Sequence, residues 1–328
     1  MNQEAVLGID VSKAKLDVCL EREGRKCQRT YANSRQGFEQ LVGWLNGQQL
    51  ADVHICLEAT GLYGEALAQF VYEAGYRVSV VNPKRIKSHA ETLLSRNKTD
   101  KGDAALIADF CRRHEPKPWE PAPLEQQELQ MLSRHLRRLG SMRQQERNRL
   151  QSGLSSPTVC QVLRDHIDFL THQIGQLEQH IQDHIDQHST LKEQRDLLAS
   201  IPGIGHKTAA ILLAEVRDFL AFDNVRELVA FAGLNPSLHQ SGTSVYARPR
   251  ISRQGNAALR AALYWPAISA CHSNPLIQPL SDRLVADGHP KMVAIVAAMR
   301  KLLHLAYGVL KSRIPFDPAY LSKSACSP

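Results

Sequence analysis

Val6-Leu7-Gly8-Ile9-Asp10 is a short apolar run that ends on an acid. It reads as a buried strand. Lys15-Leu16-Asp17-Val18-Cys19-Leu20 follows after a tight turn, and Lys26 to Tyr31 supplies a third strand, with Gly24 in the turn between. The three predict an antiparallel meander. Phe38, Leu41, Val42 and Leu45 then recur at helical spacing. A fourth strand, Val53-His54-Ile55-Cys56-Leu57, runs into Glu58 and is broken by Gly61. A helix from about Tyr63 to Ala74 leads into a fifth strand, Arg77 to Val81, which Pro83 stops. A last helix begins near Asp100 and runs to about Arg113. The order of strands and helices predicts a layered α/β domain over residues 1–115.

His114 to Pro123 holds four prolines and reads as a linker. From about Leu124 to Leu198 the chain is helical in character. Leu163, Ile167, Leu170, Ile174, Leu177 and Ile181 alternate steps of four and three, an a/d seam of the coiled-coil kind. His184 and His188 weaken its far end. An exposed apolar seam would face water, so the pattern predicts self-association, with a dimer as the minimum. Residues 116–198 are therefore expected to form linker and coiled-coil helices, and 199–328 a mainly α C-terminal domain.

The net charge of +7 and pI near 9.1 favour an acidic partner, nucleic acid being the commonest. The seven cysteines are scattered without a C-x-x-C pair, which argues against a zinc site or a disulfide framework. No signal peptide is visible and no apolar run approaches a membrane span, so a soluble, cytoplasmic protein is expected.

Four carboxylates stand where chemistry can converge. Asp10 ends the first strand, Glu58 ends the fourth, and Asp100 and Asp103 open the last helix at i, i+3 spacing. Strands one and four are neighbours in an RNase H-like sheet, so their C-terminal ends can lie side by side. Clustered carboxylate oxygens suit magnesium, and metal ions held this way activate a nucleophile and stabilise the leaving oxygen of a phosphodiester. The alternative is ordinary: Asp100 and Asp103 suit the first turn of any helix, and Glu58-Ala59-Thr60-Gly61 can be a plain strand exit.

Gly8-Ile9-Asp10-Val11-Ser12-Lys13, Glu58-Ala59-Thr60-Gly61 and Asn97-Lys98-Thr99-Asp100-Lys101-Gly102-Asp103-Ala104 resemble the blocks of the insertion sequence 110 transposases, a family that includes the Piv-type DNA invertases. The likeness continues through Ile201-Pro202-Gly203-Ile204-Gly205, Phe231-Ala232-Gly233-Leu234, Ser241-Gly242 and Ile251-Ser252-Arg253-Gln254-Gly255-Asn256, and so covers essentially the whole chain. The resemblance implies a RuvC-like N-terminal domain with a Mg2+-binding DEDD site at Asp10, Glu58, Asp100 and Asp103. It implies a serine nucleophile, matched to Ser241, in the other domain. It also implies a structured bridge RNA whose loops pair with target and donor DNA.

Read without the resemblance, His239 to Ser244 is a polar turn that hardly separates Ser241 from Ser244. With it, a serine ester on phosphorus would conserve the energy of the cleaved bond, so rejoining needs no ATP. Arg248, Arg250 and Arg253 follow closely and can clamp the phosphate, or form a solvated basic loop. Because the serine and the acids lie in different domains, the composite site calls for docking of domains or subunits, and two duplexes suggest a tetramer on DNA.

Arg134, Arg137, Arg138, Arg143, Arg147 and Arg149 crowd one helical stretch with Glu146 as the sole acid, a candidate phosphate track. Ile201 to Gly205, with Lys207 and Thr208, resembles a helix-hairpin-helix, in which Gly203 and Gly205 would let backbone amides approach a phosphate. Three other readings compete with an RNA-guided recombinase: a metal-dependent nuclease using water, an actin-like ATPase, and an RNA-binding coiled-coil scaffold. The absence of a second glycine-rich phosphate loop argues against the ATPase.

Overall fold

The computed structural model describes residues 5–48, 50, 52–59, 61–93, 100–153, 155–237, 240–241, 245–246 and 250–319. The chain divides into two compact units, Met1–Pro121 and Ala122–Pro328.

The first unit is built on a mixed five-stranded sheet. Its strands are β1 (Ala5–Val11), β2 (Lys15–Arg22), β3 (Arg25–Ala32), β4 (Val53–Glu58) and β5 (Arg77–Val81), in the order β3-β2-β1-β4-β5. β1, β2 and β3 are antiparallel neighbours, whereas β4 runs parallel to both β1 and β5. Helices α1 (Arg35–Gly47) and α2 (Leu62–Glu73) cover one face, burying Leu7, Ile9, Leu41, Leu45, Ile55 and Leu67 in one core. On the other face α4 (Asp100–His114) lies over Val6, Cys19 and Cys56 with its own Ala104, Ile107, Ala108 and Cys111.

One helix goes beyond the sequence reading. Pro83 does stop β5, but it also opens α3 (Pro83–Thr92), where Asn82 caps the helix by accepting from the Lys84 amide. Proline suits this first helical position because the amide it lacks would have no intrahelical partner. The proline-rich segment is tied to the sheet edge: Ser79 Oγ donates to the carbonyls of Pro116 and Lys117 (2.8 and 2.9 Å), and the Trp119 amide donates to Val78 O.

The second unit is mainly helical. α5 (Leu124–Gln151) and α6 (Pro157–Gln187) form an antiparallel hairpin, with His184 against the Glu125 carbonyl at one end and His166 near Glu146 toward the other. Ile167, Leu170, Ile174 and Ile181 of the a/d seam are buried within the single chain. The seam is real, but its partner is α5, so the reason for expecting self-association from it falls away. α7 (Ser189–Ala199), α8 (His206–Glu215) and α9 (Val225–Phe231) follow, then two-residue strands β6 (Pro236–Ser237), β7 (Gln240–Ser241), β8 (Val245–Tyr246) and β9 (Arg250–Ile251). α10 (Ala257–Ser273), α11 (Gln278–Ala286) and α12 (Lys291–Ser312) complete the unit. Leu129, Ile181, Leu198, Leu213, Leu263 and Leu302 share its core, so the hairpin and the C-terminal helices pack together.

Contrary to the linear reading, α12 has the length and apolar composition of a membrane span. Arg300 and Lys301 break the run when it is read residue by residue. In the folded unit half of its apolar window is buried against neighbouring helices.

Candidate active site

The sheet register decides which acids can meet. Gly8 faces α4 so closely that an added Cβ would lie 2.2 Å from Ala104 O and 2.3 Å from Ala108 N. Side chains alternate along a strand, so Asp10, two residues on, shares that face. Gly8 is paired with Cys56 across the parallel β1–β4 ladder, which puts Glu58 on the same face beside Asp10. α4 runs against the strand direction: Cys111 Sγ lies 3.8 Å from His54 O near the start of β4, and Ala104 and Ala108 cover Gly8. Asp103 therefore falls at the C-terminal end of β1 and β4.

Asp10, Glu58 and Asp103 are each half-buried. Asp100 begins α4 one turn earlier, its side chain outside what is described. Among the described residues no three His, Cys, Asp or Glu side chains already stand close enough to hold one ion together. The donor set itself is all carboxylate oxygen, the chemistry that magnesium prefers.

Sequence reasoning missed Asp17. It is 5% exposed and sits directly across the β1–β2 ladder from Asp10, which brings it to the same face. Thr30 Oγ1 donates to it at 2.7 Å and Lys15 Nζ lies 2.9 Å away. The signal was present in the alternation Asp17, Cys19, Glu21, polar or thiol residues on one side of β2.

In the second unit, Ser241 lies in β7, paired with Val245 of β8 in a small hairpin. Gly242 to Ser244 and Arg248 lie outside the described residues, as do the side chains of Ser241 and Arg250. The Arg250 backbone pairs with Ser237. Arg253 is exposed and has a left-handed backbone, φ 52°.

The arginines of α5 do not form one stripe. Arg143 and Arg147 point roughly half a turn away from Arg134 at about 100° per residue. Arg137 donates to the buried Glu215 at 2.8 Å and Arg143 reaches Thr171 of α6, while Arg138 and Arg147 are exposed. The α7–turn–α8 arrangement is present, but its glycines differ in purpose. Gly203 (φ 102°) packs on α10, where a Cβ would lie 2.7 Å from Ala270 Cβ. Gly205 has open space beside it and begins α8 without a side-chain cap. Lys207 is paired with Glu178 at 2.7 Å.

Two family models match the chain in order, both described as transposases. One, of the DEDD type named for IS110, covers residues 7–157, and the other, of the IS116/IS110/IS902 family, covers residues 195–281. The pilin gene-inverting protein of Moraxella bovis is 34% identical over 95% of this chain and 97% of its own length. The transposase for insertion sequence element IS1111A of Coxiella burnetii is 25% identical over 80% of the chain and 77% of its own. Among solved structures, T. thermophilus RuvC in complex with a Holliday junction substrate aligns over 35% of the chain and 99% of that chain, at 16% identity and a TM-score of 0.25. From the ordered family matches and the near full-length relative, the chain belongs to the IS110 family of transposases, enzymes that act on DNA.

Proposed function

We propose that this transposase cleaves and rejoins target and donor DNA through a serine–phosphate ester on Ser241, with Mg2+ held by Asp10, Glu58, Asp100 and Asp103. The first unit is read as an RNase H-like, RuvC-like domain. The observation that carries the reading is the register that puts Asp10 and Glu58 side by side on the α4 face, at the end where Asp103 lies. A bound divalent ion would lower the pKa of a coordinated hydroxyl and neutralise charge on the phosphate.

Ser241 Oγ attacks the phosphorus and one phosphorus–oxygen bond to deoxyribose breaks, releasing a strand-end hydroxyl. The serine proton leaves as the leaving oxygen gains one, and the phosphodiester energy stays in the serine ester. Attack by another strand's hydroxyl reverses the step and frees Ser241, so bonds made equal bonds broken. Arg248, Arg250 and Arg253 follow the serine in sequence and supply guanidinium donors to the phosphate oxygens. Contacts to phosphate from the open start of α8 and the exposed arginines of α5 carry no sequence information. Choice of target and donor is delegated to pairing with a structured bridge RNA. Two duplexes cut together call for at least two copies of the chain.

The reading is tested with Ser241→Ala and Asp10→Asn chains on donor DNA, with the chain's own RNA supplied. The expected result is a covalent protein–DNA adduct in the parent chain that is absent in Ser241→Ala, and loss of cleavage in Asp10→Asn or with EDTA. Undiminished cleavage by Ser241→Ala would replace the serine by water.

A further inference from the structure

Leu228 to Ser281 contains four arginines, Arg248, Arg250, Arg253 and Arg260, and not one Asp, Glu or Lys. Two of the four are brought together by the backbone. The Arg253 amide donates to Gly233 O at 3.1 Å, and Arg260 Nη1 donates to Ala232 O at 2.8 Å. Gly233 (φ 68°) is the notch between them: a Cβ there would stand 2.6 Å from Arg260 Nη1, 3.0 Å from Gln254 N and 3.1 Å from Arg253 C. The Arg260 guanidinium thus lies against the loop that bears Arg253, in the first turns of α10.

Two features show that this is not an ordinary cap on the Ala232 carbonyl. Arg253 is held in a left-handed backbone that a side chain of its size disfavours, and it is exposed. Arg260 is half-buried, and burial together with the charge of Arg253 lowers its pKa from the usual guanidinium value. Among the described residues no carboxylate lies within 4.0 Å of either guanidinium. Glu215, which bonds Asn256 at the start of the same helix, is itself engaged with Arg137. Two cations near enough for one to lower the other's pKa repel one another when no acid stands between them, and a shared anion relieves that repulsion.

We propose that Arg253 and Arg260 form a seat for one DNA phosphodiester, with Arg260, anchored to Ala232 O, as the fixed member and Arg253 as the exposed one. β9 (Arg250–Ile251) runs directly into this loop, so the seat adjoins the β6–β9 pair, whose two strands bracket the Ser241 segment in sequence. The assignment rests on the reading of the chain as a DNA-binding enzyme, but not on Ser241 being the nucleophile. Arg260 is a positioning residue for the phosphate, not a catalytic one.

The test measures binding of the full chain to a fluorescent DNA duplex by anisotropy across salt concentrations. Arg260→Gln removes the charge and, ending two bonds short of Nη1, the anchor to Ala232 O with it; Arg253→Ala removes the partner. Each variant is expected to bind about tenfold more weakly, with the slope of log affinity against log salt reduced by about one. The double variant should lose less than the product of the two, because both charges serve one phosphate. Thermal unfolding checks that Arg260→Gln stays folded. Parental affinity and slope in Arg260→Gln would overturn the seat, as would strictly multiplicative losses or a loss confined to RNA binding. If the parent chain bound no duplex at any salt concentration, the DNA-binding reading would fall first and the seat with it.

Discussion

Asn256 Nδ2 donates to Oε2 of Glu215 at 2.8 Å, while Arg137 donates to the other carboxylate oxygen at the same distance. One buried carboxylate, 5% exposed, thereby joins α5, the end of α8 and the start of α10. Glu215→Ala removes both bonds and leaves Asn256 without its acceptor, at a cost of about 2 kcal/mol in urea unfolding. Arg137→Ala should likewise lower the unfolding midpoint and leave the salt slope of DNA binding unchanged, since its charge is committed within the unit. A changed slope with unchanged stability would return Arg137 to the phosphate track.

Gly8 sets how closely α4 lies on the sheet. Gly8→Ala must push Ala104 O and Ala108 N away, because both are backbone atoms and neither can rotate aside. The expected cost is about 1–3 kcal/mol in stability. DNA cleavage should fall by more than the folded fraction does, because the same shift moves Asp103 away from Asp10. Calorimetry and single-turnover cleavage on one preparation separate the two effects.

Asp109 gives the first unit an acid-side limit. Burial alone would raise its pKa, but hydrogen bonds from Arg113, His89 and Arg112 outweigh it and hold the group below its ordinary value. A carboxylate depressed in the folded state contributes stability above the unfolded value near 4, lost as pH falls through the lower folded value. Asp109→Asn should therefore reduce stability at neutral pH and flatten the fall of stability below pH about 4. Chemical denaturation at a series of pH values reads both, and a parallel fall in parent and variant would exclude Asp109 as a cause.

Leu170 and Phe169 are neighbours with opposite surroundings. Leu170 is 2% exposed in the seam, whereas Phe169 is 59% exposed. Leu170→Ala should cost about 2–5 kcal/mol and Phe169→Ala well under 1 kcal/mol. Equal losses in the isolated chain would show the seam facing a second copy instead of α5.

How much of this could be read beforehand depended on element length. The five strands of the first unit were legible because Val6–Ile9 and Val53–Leu57 are apolar runs that end on acids and are bounded by turns. Helix α3 was not, because Pro83 signals a stop and a start with the same residue, and Asn82 acts as a cap only where a helix follows it. The α6 seam gave the helix and its buried face correctly, but periodicity cannot say whether the facing helix belongs to the same chain. The short connection between Gln151 and Pro157, which favours an antiparallel neighbour, was the missing clue. Strands β6 to β9 have two residues each, too few for any alternation. Ser241 accordingly carried no local signal and came from family resemblance. Asp17 was visible as a strand residue, but its place across from Asp10 required the register.

Cys19, Cys56 and Cys111 are buried where α4 meets the sheet, whereas Cys27 is exposed and Cys160 partly so. The fold thereby carries its own chemical clock. In a Cys271→Ser, Cys326→Ser chain, a thiol reagent in excess labels Cys27 and Cys160 at once, and reaches the three inner sulfurs at the rate at which α4 lifts from the strands. Because Asp100 and Asp103 ride on that helix, the slow labelling phase measures how often the acidic face comes apart without any DNA being cut, and ions that draw the carboxylates together should lengthen it.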